Sequence, residues 1–309
     1  PPLTDQDLVS VAAAPGDGSS AATSFPFAAE RRDRGMYVAM VHNGDRDNFY
    51  GAIVMGAPVD QTLDLPHPDR SPGATATVSV ALQGFSSFHA VAVALNGRPL
   101  GVLQWTGMEL GQASYQVPAE WLAQGENTVR VTGSSDEDIS AVESIRIDYP
   151  HTYDADDGTL LCAVTGGAPQ VIRGFASQLV RLVDVTDPGR PTELLGTVSP
   201  EGAGFAVSFV ARGPGPRSVL AFTDDRAVAP AAVEANRASA WSAASNAGAV
   251  VMITHRTFAA ALEPLRARRA AQHGSALIVD VEDLYDEFNF GAKSPQAIRD
   301  FLAAAAGWR

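Results

Sequence analysis

Residues 274–308, GSALIVDVEDLYDEFNFGAKSPQAIRDFLAAAAGW, settle what kind of fold this chain carries at one end. Ala276–Val281 is a short unbroken apolar run ending at Asp280 and Val281, the pattern of a strand covered on both faces. Glu282–Lys293 then places four acidic and three aromatic side chains in a dozen positions and reads as a loop. A helix follows. Ser294 is placed to accept from its first free N–H groups, and Pro295 stands where a missing N–H costs nothing. Ile298, Phe301 and Leu302 share one face at helical spacing.

The same plan occurs just upstream. Ala249–Thr254 (AVVMIT) is a second buried-type strand, and Arg256–His273 is a helical stretch with Phe258, Leu262 and Leu265 four and three apart. Strand, helix, strand, helix predicts a parallel pair with a right-handed crossover. Two parallel strands cannot cover both their faces. The expectation is therefore the front portion of a larger α/β domain.

Towards the other end the pattern is different. Residues 1–23 are rich in Pro, Gly, Ser, Asp and Ala and read as a flexible lead-in, with one short ordered piece at Leu8–Ala13. Residues 24–150 read as all-β, with β-forming runs separated by turns about every ten residues, the signature of a sandwich. The expected strands are Met36–Val41, closed by Asn43–Gly44–Asp45, then Thr75–Leu82, His89–Leu95, Leu100–Gln104, Asn127–Val131 and Val142–Tyr149. Thr75–Leu82 and His89–Leu95 alternate strictly, which buries one face of each. Asn96–Gly97 is a hairpin turn.

Residues 151–225 remain strand-rich, at Thr159–Val164, Val171–Gly174, Leu179–Val183, Glu193–Val198, Gly204–Val210 and Ser218–Phe222. Short turns between them suggest an antiparallel meander. The alanine-rich stretch 226–248 has room for one or two short helices leading into the α/β unit, so that 226–309 forms the last region.

The 309 residues carry 35 acidic and 22 basic side chains, a net charge of −13. Nucleic acid is not expected as a partner, because its phosphates need a basic surface. No apolar run reaches the roughly 18 residues of a membrane span. A single cysteine, Cys162, excludes an internal disulfide. It lies in the apolar run Leu160–Val164 with no histidine near it in sequence, which suits a buried thiol rather than a nucleophile.

The order strand–DVEDLYDEFNFG–x–x–SPQAIRDFL resembles the start of the catalytic domain of gingipain-like cysteine peptidases. The residues that carry the resemblance are Val281, Asp283, Tyr285, Asp286, Phe288, Gly291, Ser294, Pro295, Ala297, Ile298, Phe301 and Leu302. Ile253–Thr254–His255 and Pro264–Leu265, followed by Arg269 and Gly274, fit the same pattern. The phrases HAVAVALNG at residues 89–97 and LAQGENTV at 122–129 look like jelly-roll modules of the galactose-binding type, as does the opening stretch Glu30–Gly51.

The resemblance implies a caspase-like, Rossmann-like α/β domain after the sandwich, peptide-bond hydrolysis by a Cys/His pair, a polypeptide substrate and a secreted or cell-surface location. In that family the cysteine and histidine lie further along, so no residue of this chain matches the pair. The chain alone is expected to be inactive. A binding module for carbohydrate or a surface protein is the alternative.

Candidate site residues follow from position and chemistry. Open α/β sheets place clefts at the carboxyl ends of their strands. That points to His255, Asp283, Tyr285, Asp286 and Glu287 as cleft-rim residues, against a plain role in capping and loop packing. No cofactor is required by the expected chemistry. Calcium is considered at Asp154, Asp156 and Asp157, where acids and Gly158 resemble a fragment of a calcium loop without its distal Glu. Trp105 is a candidate for stacking on a sugar ring, against a core role. No Gly-x-Ser-x-Gly elbow or phosphate-binding glycine motif is present.

Overall fold

In the computed structural model the described residues are 9–11 (backbone only), 21–42, 44, 46–232 and 238–308. The chain divides into two units, Pro1–Val228 and Ala229–Arg309. Of the expected turn after the first strand, Asn43 and Asp45 lie outside the described residues, as does most of the lead-in. Its ordered piece is strand β1 (Val9–Val11).

The first sandwich is built from β2 (Ser24–Arg31), β3 (Met36–Tyr37), β4 (Phe49–Tyr50), β5 (Ile53–Val54), β6 (Val59–Leu65), β7 (Thr75–Gly84), β8 (Phe88–Leu95), β9 (Arg98–Thr106), β10 (Leu110–Pro118), β11 (Gly125–Gly133) and β12 (Ser140–Thr152). One sheet has the order β10-β7-β12-β2 and the other β6-β11-β8-β9, all antiparallel. The alternation read in the sequence sets the register. Val78, Val80 and Leu82 of β7 turn inward with Ile145 and Ile147 of β12 against Val91, Val93 and Leu95 of β8. The expected strand Met36–Val41 is shorter: Met36 and Tyr37 form the strand, the Val38 N–H still donates to the Asn48 carbonyl, and the chain turns at 39–40. Val41 is anchored instead in a small side cluster with Tyr50 and Ala141.

Two phrases singled out in the sequence meet in space. Asn96 and Gly97 both have positive φ, +48° and +78°, which closes the β8–β9 hairpin. The Asn96 side chain donates to Asn127 Oδ1 at 2.8 Å and to the Trp121 carbonyl at 3.0 Å. Asn127 is fully buried, accepts from the Ala123 N–H and donates to the Ala123 and Gly125 carbonyls. One buried amide thus holds together the turn before β11 and the hairpin beside it.

The second sandwich contains β13 (Thr159–Thr165), β14 (Pro169–Phe175), β15 (Val180–Asp184), β16 (Thr192–Leu194), β17 (Thr197–Glu201), β18 (Gly204–Val210) and β19 (Pro216–Thr223). It is not the simple meander expected. Its strands sort into two sheets, β1-β16-β15-β19-β13 and β14-β18-β17, so β13 lies beside β19 rather than β14. The reason is burial. Leu160, Cys162 and Val164 face Ile172, Val207 and Phe209 across a core, which sequential pairing in one sheet would leave half exposed. Glu193–Val198, expected as one strand, breaks at Leu195–Gly196, where Gly196 lies against Val207 and Leu182.

The sandwiches share β2 and β12. These pair antiparallel from Arg31↔Ile145 to Ser24↔Thr152. Phe25 belongs to the second core, and Phe27 packs against both. Burial, with the nearby Asp156 charge adding, pushes the Tyr149 phenol well up, so its hydroxyl stays a donor, 3.0 Å from the Pro66 carbonyl.

The C-terminal unit contains β20 (Val250–Thr254), α1 (Arg256–His273), β21 (Ala276–Asp280), α2 (Val281–Asn289) and α3 (Pro295–Ala305). The strands are parallel, in register from Val250↔Ala276 to Thr254↔Asp280. Glu282–Lys293 is not the expected loop. Its first eight residues are helical, because Leu284 and Phe288, four apart, pack towards Phe301, and Asp280 caps the first turn. The small core is Val279, Leu284 and Phe301. No residue of α1 is buried, and Phe258 and Leu265 on it are exposed. No α-helix forms in the described part of 226–248; one 3-10 turn, Asp224–Arg226, ends at its first residue.

Replacing Asn127 by Ala strands the amide and carbonyls it serves in the interior. The expected cost is about 3 kcal/mol in denaturant unfolding of the N-terminal unit. A loss under about 0.5 kcal/mol would show that water replaces the amide.

Candidate functional site

The carboxyl ends of β20 and β21 lead straight into helices, so the caps and the cleft share residues. Asp280 ends β21 and caps α2 through the Glu282 N–H. The same carboxylate accepts from the Arg256 N–H at 3.2 Å and pairs with Arg256 Nε at 2.8 Å. One acidic side chain therefore fixes the start of both α1 and α2. His255 caps α1, its Nδ1 3.3 Å from the Thr257 N–H and 2.8 Å from the Thr257 hydroxyl. Its Nε2 stands 3.9 Å from Glu282, which also pairs with Lys293 at 2.9 Å.

A cleft of about 440 Å³ opens here, bordered by Ser239, Trp241, Asn246, Arg256, Asp280 and Asp283. Of the five residues expected at the rim, Asp283 borders it directly. His255 is committed to capping. Asp286 is exposed, Tyr285 is half-buried, and neither borders the cleft. Glu287 shapes one wall from behind: it accepts from the Ser239 and Ser242 hydroxyls, both at 2.5 Å, and from the Trp241 and Ser242 N–H groups at 2.8 and 2.7 Å. Burial opposes its charge, but these donors outweigh burial and hold the carboxyl down at about 2. Asp280 and Arg256 were not among the residues expected at the rim. Their positions, last in a strand and first in a helix, were the available signal.

This cleft offers a guanidinium already paired to a carboxylate, a second carboxylate and an indole. The one hydroxyl on its border, that of Ser239, already donates to Glu287. Such a surface can bind, and among the described residues it holds no nucleophile with a base beside it.

Cys162 is far from such chemistry. It is buried in the second core, 3.6 Å from the Val219 carbonyl, and burial pushes its thiol up to about 12. The first sandwich does contain a serine, a histidine and an aspartate in contact. Asp138 Oδ1 lies 2.8 Å from His89 Nδ1, and Ser86 Oγ lies 3.4 Å from the same nitrogen. A relay needs the hydroxyl on the other nitrogen. His89 Nε2 instead faces the Ser86 and Gly107 carbonyls. The trio is structural. Burial opposes the charge on Asp138, but donors from Ala90, Ser134 and His89 hold its carboxyl below the usual range.

Trp105 stacks on His89 with ring centroids 4.3 Å apart, and its Nε1 donates to the Glu109 carbonyl. Gly111 lies so close to the indole that a Cβ there would meet it at 2.4 Å. The ring is therefore engaged in packing within the sandwich. A separate polar cleft of about 210 Å³ is bordered by Arg46, Asp47, Tyr50, Gln83, Glu109 and Glu143.

Asp154, Asp156 and Asp157 do not converge. Asp154 accepts from the Thr152 hydroxyl, Asp157 pairs with Arg226 at 2.5 Å, and Asp156 turns towards His151 and His67.

Residues 243–308, which include all of β20 to α3, match the family model of peptidase family C25. The C-terminal unit carries a segment of peptidase family C25. The C25 segment thus begins just before β20 and contains the whole carboxyl-end cleft except its 238–241 wall. Over 94% of its length the chain also superposes on the crystal structure of dimeric latent PorU from Porphyromonas gingivalis, with a TM-score of 0.68 and 13% identity, a likeness of fold. It covers 29% of that chain. A family 35 carbohydrate-binding module from an environmental isolate aligns with 41% of this chain and 87% of its own, at 16% identity and a TM-score of 0.25. A CBM36 module in complex with calcium and xylotriose aligns with 40% of this chain and 98% of its own, also at 16% and 0.25. Both likenesses are too slight to support an inference. No curated protein matches the sequence.

The Glu287 carboxylate contributes stability that is present above the ordinary carboxylate range and is lost as pH falls through about 2. Glu287→Gln is expected to lower hydrogen-exchange protection of Trp241 and Ser242 at pH 7 by about tenfold or more. The wild-type chain should show the same loss near pH 2. Unchanged protection in the variant would mean that the 238–242 wall is held by packing alone.

Proposed function

We propose that this chain is the N-terminal accessory region and the first part of the catalytic domain of a secreted cysteine endopeptidase. The parent protein hydrolyses peptide bonds of a polypeptide substrate with a cysteine nucleophile and a histidine partner that lie outside residues 1–309. The carrying observation is the parallel β-α-β unit with its two following helices, in the stretch that matches peptidase family C25. The state of Cys162 supports the second half of the reading, since a buried thiol pushed up to about 12 supplies no thiolate at neutral pH. The two sandwiches act as accessory modules, and Asp283 with Arg256 borders the substrate cleft. Among the described residues no helix is long and apolar enough to cross a membrane.

The purified chain is expected to hydrolyse no member of a broad peptide panel, and native Cys162 to resist labelling by a thiol reagent. Turnover that disappears in Cys162→Ala would place the nucleophile in the second sandwich and overturn the reading.

The second reading, a module that binds carbohydrate or a surface protein, is favoured by the polar cleft at Arg46, Asp47 and Glu109 rather than by Trp105. It expects glycan-array binding that Glu109→Ala weakens and that a substitution on the exposed α1 leaves unchanged. An array without signal removes the carbohydrate form of this reading.

A further inference from the structure

The polar cleft of about 210 Å³ in the first sandwich is lined by stretches far apart in the chain. Tyr50 on β4 and Gln83 on β7 are its most deeply buried members, 1% and 2% exposed. The Gln83 amide is fixed: its Nε2 donates to the Met108 carbonyl at 2.7 Å and to the Gly84 carbonyl at 3.2 Å, and its Oε1 lies 3.5 Å from the Tyr50 hydroxyl. Gln83 thereby holds the turn after β9 that presents Glu109. Glu143 is the extra residue of a bulge in β12, where pairing with β7 steps from Val142↔Leu82 to Ser144↔Ala81. Bulges re-aim a side chain, and this one sends Glu143 to the cleft. The loop between β3 and β4 supplies Arg46 and Asp47. It is pinned by the Asn48 amide, which donates to the Val41 carbonyl at 3.0 Å, and by Asp47, which accepts from the Phe49 N–H at 3.2 Å.

The charges around the cleft are not all used. Asp47 pairs with Arg34 at 2.7 Å, and Glu143 pairs with Arg32. Among the described residues the Arg46 guanidinium and the Glu109 carboxylate have no partner, and although both border this one small cleft they do not pair with each other. A guanidinium only donates and a carboxylate only accepts. The group that answers both must accept on one side and donate on the other. A carboxylate or phosphate would satisfy Arg46 and be repelled by Glu109, and an amine would do the reverse. Adjacent hydroxyls meet both demands, because each can donate and accept. The arginines and acids also balance, with Arg32, Arg34 and Arg46 against Asp47, Glu109 and Glu143, so the cleft favours a neutral ligand.

We propose that this cleft takes the terminal unit of a neutral glycan, a single sugar ring whose adjacent hydroxyls bridge Arg46 and Glu109; this rests on the carbohydrate form of the second reading above. Size selects the end of a chain over its middle. Pockets for drug-sized ligands begin at about 300 Å³, and about 210 Å³ leaves room for one ring. The buried Tyr50 and Gln83 set the depth to which that ring enters, while the two unpaired charges fix its orientation. Trp105, packed on His89, takes no part. Nor do the exposed rings of Tyr37 and Phe49, 5.2 Å apart: they occupy the positions next to Met36 and Tyr50 along β3 and β4, and strand alternation turns them to the opposite face from Tyr50.

The test is a glycan array followed by NMR titration of the full chain with the methyl glycosides of galactose, glucose and mannose, with glucuronic acid and glycine as charged probes. Expected are array signals that follow the terminal unit, and saturation by one neutral glycoside with a Kd of about 1 mM, as suits a ligand of about a dozen non-hydrogen atoms. Arg46→Met and Glu109→Gln should each weaken that binding about tenfold or more. Both positions are exposed, so both variants should melt as the wild type does. Tyr37→Ala should bind unchanged. Array signals that follow internal units, or binding that Tyr37→Ala abolishes and both charge variants retain, would overturn the proposal and leave the carbohydrate reading standing. Tighter binding of glucuronic acid or glycine than of every neutral glycoside would overturn it as well. No signal on the array and none in the titration would remove the carbohydrate reading together with it.

Discussion

The pairing of β2 with β12 is the constraint on which the N-terminal unit depends. Eight consecutive residue pairs fix it, and one strand pair serves two cores. Ile145 and Ile147 fill the first core, while Phe25, opposite His151, reaches the second. A one-residue slip would turn each of these side chains to the wrong face. It would also dissolve the seam where His67, His151 and Asp156 meet. The two sandwiches are thus joined through a shared register as well as through the chain that links them.

Three polar side chains in this protein are each satisfied by a network that ties a loop rather than by an isolated pair. Asn127 holds the turn before β11, and Asp138 holds β8 and the 134–138 loop around His89. Glu287 gathers the backbone and hydroxyls of 239–242. In each case one amide or carboxylate serves several donors or acceptors that would otherwise be stranded away from water.

In the C-terminal unit the caps do much of the organising. Asp280 and His255 start two helices within one turn of the strand ends, and that economy places Arg256 and Asp283 at the cleft. The large side chains buried there among the described residues are Val279, Leu284 and Phe301, and α1 leaves Phe258 and Leu265 in water. A two-stranded sheet with an uncovered helix is below what a free-standing α/β domain normally needs.

Much of the fold was legible in the sequence. Period-two alternation in 75–82 and 89–95 gave the first sandwich, and Asn96–Gly97 its hairpin. The apolar runs 250–254 and 276–280, separated by a helix with clear ends, gave the parallel pair. These signals are local: a strand's alternation or a helix's cap lies within a few residues of chain. Only tertiary structure decided that 281–289 is a helix, since Leu284 and Phe288 gain their value from Phe301 and the acidic residues between them hide the period. It also decided that 159–223 forms two sheets, because that choice rests on which faces share a core. Of the expected cleft residues, Asp283 reached the cleft while His255 and Glu287 were drawn into capping and bracing. Asp156 lost its sequence neighbours Asp154 and Asp157 as companions and gained His67 and His151, 89 and 5 positions away. Long-range partnership of that kind depends on strand register, which no single stretch of sequence contains.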